Sequence, residues 1–234
     1  MDWNALIEID KELLLQANGS SSLFLDGLAR TLTTAGTWIP LYLSLFYLIL
    51  KNNDTIQKIM LIVACTGLCL LVAGAVDDAI VKPLVGRWRP THDPEIGMLV
   101  DVVNDYRGGN YGFFSAHASN TFSVAVFFSL LVRSRVLTGF LLLYSFVNCW
   151  TRLYLGVHYP GDVLIGLLWG GFTGTWVWFL HQYIVGRWGG GSRNYVSSQY
   201  TSTGYEIVDV DVVISVLMLT FLYAVLRACL FIYA

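Results

Sequence analysis

Charge is what this sequence has least of. Of its 234 residues, 14 are Lys or Arg and 16 are Asp or Glu, so only 13% are charged, against roughly 25% in an ordinary soluble domain. A formal net charge of −2 supplies no basic field for nucleic acid, and no nucleic-acid partner is expected. Cysteine and proline are also scarce, at four and five residues. Cys65, Cys69, Cys149 and Cys229 all sit inside apolar runs, so they read as free thiols in an apolar interior, not as a disulfide framework or a metal site. The N-terminal stretch has no basic n-region and no small-residue cleavage site, so it is not read as a signal peptide. No internal repeat is evident.

What fills the chain instead is apolar: 56% of residues are hydrophobic and the mean hydropathy is +0.60. A membrane-crossing helix needs about 20 mostly apolar residues. Six candidate segments are present, at 38–50 (reaching back toward Leu32), 56–80, 118–132, 136–153, 162–184 and 212–233, the first and third being short. The expected fold is therefore all-α: a polytopic membrane protein, a six-helix transmembrane bundle forming one domain over 1–234. Residues 1–18 mix Trp3, Leu6, Ile7, Ile9, Leu13 and Leu14 with Asp2, Glu8, Asp10, Lys11 and Glu12. That mixture predicts an amphipathic interfacial helix stopping near Asn18-Gly19, where Asn18-Gly19-Ser20 also matches a glycosylation sequon.

Two segments do not belong in a bilayer. Residues 81–114 are rich in Pro, Gly, Arg and Asp, and residues 186–211 are polar and rich in Gly, Ser and Thr. Six crossings place 81–114, the turn at 153–161 and both chain ends on one face. The short turns with Lys51, Lys58, Arg133, Arg135, Arg187 and Arg193 fall on the other, which the positive-inside rule makes cytoplasmic. Residues 186–211 are then a cytoplasmic loop and 81–114 an external one. The face carrying residues 81–114 is then external or periplasmic.

On that external face the sequence gathers three polar clusters: "KPLVGRWRP" with Lys82, Arg87 and Arg89; "FSAH" with Ser115 and His117; and "TRLYLGVHYPGD" with Arg152, His158 and Asp162. Lys82, Arg89 and Arg152 can clamp an oxyanion, Arg with a planar fork suited to phosphate. The backbone amides of Ala116 and His117 open a helix and are free to face an anion. Asp162 lies four residues beyond His158, so a turn could let it hold one imidazole nitrogen and leave the other nucleophilic. Arg87 reads as an interfacial anchor or headgroup contact, Asp78 as a partner of Lys82 one helical turn away, and His92 and His181 as bystanders.

Lys82-x6-Arg89-Pro90, Ser115-x-His117 and Arg152-x5-His158-x3-Asp162 together resemble the three-part signature of the type 2 phosphatidic acid phosphatase (PAP2) superfamily, which includes membrane lipid phosphatases and soluble vanadium haloperoxidases. The resemblance implies that His158 attacks phosphorus, Asp162 orients it, and His117 protonates the leaving oxygen and then activates water. It assigns phosphate binding to Lys82, Arg89, Ser115, Ala116 and Arg152. It implies no metal and no cofactor. The substrate it implies is a phosphorylated membrane lipid in the bilayer: undecaprenyl pyrophosphate, lipid A phosphate or phosphatidylglycerol phosphate. No protein partner is expected. A phosphotransferase with the same site and a non-catalytic lipid-binding or transport protein are the alternatives. Phe114, Ala116 and Thr151 stand where the family usually has Pro, Gly and Ser, which bears on substrate fit more than on reaction class.

Overall fold

Apolar runs close their own backbone hydrogen bonds as helices, because lipid offers no partner for an exposed amide. The computed structural model describes residues 3–188 and 197–232. It is helical throughout, with two isolated bridges and no strand among the described residues. In chain order the helices are α1 (Trp3–Ala17), α2 (Leu23–Thr33), α3 (Ile39–Asn52), α4 (Ile56–Val85), α5 (Ala116–Val132), α6 (Arg135–Tyr154), α7 (Pro160–Arg187) and α8 (Ile207–Phe231).

Four of these, α4, α6, α7 and α8, are long and apolar enough to cross a membrane. A fifth span results if α2 and the segment Ala35–Asn52 count as one, across a bend of 68°. This differs from the expected six at two places. Thr34 is extended (φ −75°, ψ 122°), the chain makes a single tight turn over Ala35–Trp38, and Pro40 opens α3. Proline at a helix start cannot accept continuation from the preceding helix, so α2 lies at an angle to α3 and the two do not form one straight rod. The other place is α5, which has only 17 residues, about 25 Å of helix. It stops at Arg133, which adopts a left-handed conformation (φ 55°).

The two longest polar segments also move. α4 runs on to Val85, so Lys82 sits in its last turn and the loop begins at Gly86. The loop expected over 186–211 falls partly outside the described residues; α7 continues to Arg187, and α8 begins at Ile207. Cys65, Cys69 and Cys149 are buried free thiols, while Cys229 is exposed.

Two packing devices hold the bundle in register. Gly166, Gly170 and Gly174 line one face of α7 against Ser115, Ser119 and Ser123; a Cβ at these glycines would fall 2.7, 2.5 and 2.4 Å from the three serine carbonyl oxygens. Small residues let helix backbones approach this closely in lipid. The second device is in α4, which widens into π-helical turns at Leu71–Ala75 and Asp77–Val81. The carbonyls loosened there accept from other helices: Ser119 Oγ donates to Ala73 O (2.8 Å) and Trp169 Nε1 to Val72 O (3.2 Å). Outside these contacts α7 and α8 present Leu168, Phe172, Phe179, Leu219, Leu222 and Leu226 to the surroundings, an exposed apolar belt that suits lipid.

The loop after α4, the turn between α6 and α7, α1, α2 and the end of α8 share one end of the bundle. Asn18 donates to Tyr154 O, Asp10 accepts from the Gly161 amide, and Gly27 abuts Phe231. At the opposite end Asn52 donates to Asp209 and Thr203 to Val132 O.

Candidate active site

The π-turn that ends α4 shapes the first part of the site. One added residue in the turn brings Lys82 against a carboxylate five positions back: Lys82 Nζ lies 2.8 Å from Asp77 Oδ2 and is also paired with Asp78. Asp77 is fully buried and accepts from the Phe114 amide at 3.1 Å. It therefore ties the end of α4 to Phe114, two residues before α5. Such π-turns are frequent at functional sites.

Beyond Gly86 the chain doubles back, pairing Arg89 N–H with Asn110 O (2.9 Å) and Gly112 N–H with Arg87 O (2.9 Å). Gly108, with a positive φ of 71°, places its backbone against the Arg89 guanidinium, where a Cβ would come within 3.2 Å. Arg89 is buried; its Nε donates to Tyr111 O (3.1 Å), and its Nη1 lies 3.0 Å from both Val157 O and His158 Nε2. Burial, and then the charge of Arg152, hold the Arg89 pKa below the ordinary guanidinium value.

His158 is 1% exposed in the turn between α6 and α7. Burial first, then the charges of Arg89, Arg152 and Lys82, push its pKa well below the ordinary imidazole value. Both effects favour the neutral ring, whose Nε2 faces Arg89. Asp162 Oδ2 stands 3.7 Å from His158 Nδ1, beyond hydrogen-bond length, and that nitrogen has no other partner among the described residues. Asp162 is fully buried and otherwise engaged: Oδ2 accepts from the Tyr159 amide (3.1 Å), and Oδ1 accepts from Arg87 Nη1 (2.7 Å).

Arg87 is thus no headgroup anchor. Its other arm donates to Asp10 Oδ2 of α1 (2.7 Å), and its guanidinium carbon lies 4.1 Å from the Tyr159 ring centroid. Burial lowers its pKa, but Asp162 and Asp10 outweigh burial and leave it raised. Asp10 Oδ1 accepts from the Gly161 amide (2.7 Å) in the first turn of α7.

The third part is the start of α5. Ser115 caps it, Oγ accepting from the Ala118 amide at 3.4 Å, while the Ser115 amide donates to Asp162 O at 3.1 Å. Ala116 and His117 occupy the first turn, where amides have no partner within the helix. The charges of Arg152, Arg89 and Lys82 all reach His117, which borders a cavity of about 220 Å³ shared with Thr33, Asn120 and Thr121. Arg152, 3% exposed, donates from Nη1 to Thr33 Oγ1 (2.6 Å) of α2 and to Tyr106 OH (2.9 Å) of the loop, and its Nε is buried without a partner.

The eight residues singled out from sequence spacing therefore meet at one end of the bundle. Asp10, Thr33, Asp77 and Tyr106 join them without a signal in that spacing. His181 is buried far along α7, beside Phe127, and the His92 ring hydrogen-bonds with its neighbour Thr91. Among the described residues no group of three or more His, Cys, Asp and Glu is placed to hold a metal ion.

A helical membrane bundle with two histidines and three cations converging at one end defines an integral membrane enzyme built to handle phosphate. Residues 58–185, more than half of the chain, match the PAP2 superfamily model, and the chain belongs to that superfamily; it is a phosphatase, a phosphoric monoester hydrolase. It is 41% identical over 184 residues to the lipid A 4'-phosphatase of Bacteroides thetaiotaomicron, covering 78% of this chain and 81% of the relative. It is 29% identical over 187 residues to the lipid A 4'-phosphatase of Porphyromonas gingivalis, covering 80% and 79%. A lipid A 1-phosphatase of Rhizobium etli is 32% identical over 99 residues, covering 40% and 39%. No solved structure matches the chain.

Proposed function

We propose that this membrane lipid phosphatase removes the 4'-phosphate of lipid A, or of a closely similar phosphorylated glycolipid, at the outer face of a bacterial inner membrane. The observation that carries the reading is the buried His158, with Nε2 at 3.0 Å from Arg89 and the charges of Arg152 and Lys82 close by. A phosphate seated among the three cations meets a nucleophile that does not have to lose a proton first. The relatives supply the substrate class. Their names also place phosphates at two positions of lipid A, 4' and 1.

His158 Nε2 attacks phosphorus and the P–O bond to the sugar breaks. His117 gives its proton to the leaving oxygen. The phosphohistidine is then hydrolysed: His117 takes a proton from water, the water oxygen attacks phosphorus, and the P–N bond breaks to release phosphate. Lys82, Arg89, Arg152, the Ser115 hydroxyl and the Ala116 amide hold the equatorial oxygens as charge shifts. Arg89 Nη1 now occupies the approach to Nε2, so the guanidinium turns toward the incoming oxygens. Asp162 closes on Nδ1–H as the ring becomes cationic, and its 3.7 Å separation shortens. The topology that fits this reading has six crossings, with α5 as a short one and α1 lying in the interface with Leu6, Ile7, Ile9 and Leu13 exposed to lipid.

The test is phosphate release from lipid A phosphorylated at 4', at 1 or at both positions, beside undecaprenyl pyrophosphate and phosphatidylglycerol phosphate. EDTA is present throughout. Release from the 4' position is expected, and His158→Ala is expected to lose about a thousandfold or more of the rate. Full activity in His158→Ala sinks the mechanism; a clear preference for another lipid sinks the substrate.

A further inference from the structure

We propose that a second lipid-borne phosphate is held beside the catalytic pocket, between Arg30 of α2 and Arg227 of α8. The inference rests on the phosphatase reading for its substrate and on separate residues for its site. A polar cavity of about 410 Å³ opens at the active-site end of the bundle, lined among others by Arg30, Thr31, Thr34, Thr37, Asn104 and Arg227. Thr31, Thr34 and Thr37 spend their hydroxyl protons on the carbonyls of Gly27, Arg30 and Thr31. The two guanidiniums remain as charged donors lining the cavity, beside Asn104 and the Tyr223 hydroxyl.

No carboxylate oxygen stands within 4 Å of either arginine among the described residues, a state they share with Arg89 and Arg152 of the catalytic pocket. Asp26, one turn before Arg30, accepts from Tyr154 OH instead. Arg30 is half-buried and Arg227 exposed, so two guanidiniums without a carboxylate border one open cavity, and arginine matches phosphate with two parallel donors. The cavity adjoins the catalytic site directly. Arg30 packs 4.5 Å from the ring centroid of Tyr106, whose hydroxyl accepts from Arg152, and Thr33, the other Arg152 partner, lies between Thr31 and Thr34. The chemistry fits the second phosphate of a doubly phosphorylated substrate, and equally the phosphate of a neighbouring anionic lipid.

Arg227 carries the test, because Arg30 leans on Tyr106 and so reaches the catalytic residues. Full-length wild type, Arg227→Gln and Arg227→Lys are assayed in mixed micelles on two matched lipids, one phosphorylated at both ends and one only at the end that is hydrolysed. Each is assayed with and without phosphatidylglycerol. Retention of the doubly phosphorylated lipid is measured in parallel on the His158→Ala background, where no turnover occurs. Arg227→Gln is expected to raise KM about tenfold for the doubly phosphorylated lipid alone, with kcat unchanged and Lys restoring much of the loss. A loss seen instead on the singly phosphorylated lipid, only when phosphatidylglycerol is present, assigns the site to a neighbouring headgroup. Equal KM values in wild type and Arg227→Gln, or a change that ignores both the second phosphate and phosphatidylglycerol, overturn the proposal and leave Arg227 a membrane anchor. Retention that depends on Arg227, found together with no phosphate release by the wild type, keeps the site and removes the phosphatase reading.

Discussion

Asp10 engages two partners with its two oxygens, Arg87 through Oδ2 and the Gly161 amide through Oδ1. Its charge offsets Arg87, which would otherwise draw on Asp162 alone and weaken the carboxylate's pull on a cationic His158. Asp10→Asn is therefore expected to lower kcat about tenfold with KM little changed, and to cost about 1–3 kcal/mol of stability. Asp10→Glu should restore part of kcat. Steady-state kinetics and thermal melts read both effects, and an unchanged kcat would reduce Asp10 to a helix cap. His158 makes a separate prediction. Its pKa is lower folded than unfolded, so between the two values the unfolded chain binds more protons. The stability that follows is present above the unfolded value of about 6.5 and is lost as pH falls toward the folded one. Melting temperatures of the wild type should thus drop more steeply between pH 7 and pH 5 than those of His158→Gln; parallel curves would contradict a neutral buried ring.

At the scale of elements, the site depends on how closely α5 approaches α7, since one carries His117 and the other Asp162. Gly170→Ala puts a methyl group 2.5 Å from the Ser119 carbonyl oxygen, a clash with backbone that cannot rotate away. It is expected to cost about 1–3 kcal/mol and to reduce phosphate release, whereas Gly139→Ala, where a Cβ meets nothing within 4 Å, should change neither. Motif spacing made Lys82, Arg89, Ser115, His117, Arg152, His158 and Asp162 legible, because their chemistry is concentrated in short runs of polar residues at helix ends. Asp77 was hidden because its partnership with Lys82 needs a π-turn, and an α-helical count points to Asp78. Thr33 and Tyr106 were hidden because each meets Arg152 only through tertiary folding, Thr33 through the bend after α2. Arg87 was misread because nothing local shows that Asp162 and Asp10 flank it.

For the whole molecule, apolar runs placed α4, α6, α7 and α8 to within a few residues and already showed α5 to be short, while the bend at Thr34 belongs to packing. That brevity has a consequence for the surrounding lipid. In the proposed six-crossing topology, a helix of about 25 Å in a hydrocarbon core of about 30 Å would be a hydrophobic mismatch, relieved by thinning of the bilayer along that side of the protein. In that topology the first turn of α5 would sit below the mean headgroup plane, and a lipid phosphate would reach it more easily where the leaflet dips. Reconstituted in bilayers of decreasing acyl-chain length, the protein is expected to hydrolyse lipid substrate faster as thickness approaches the length of α5. Hydrolysis of a water-soluble phosphate ester should stay flat across the same series. Bilayer thickness then acts as a selector of when lipid, as opposed to soluble ester, is processed.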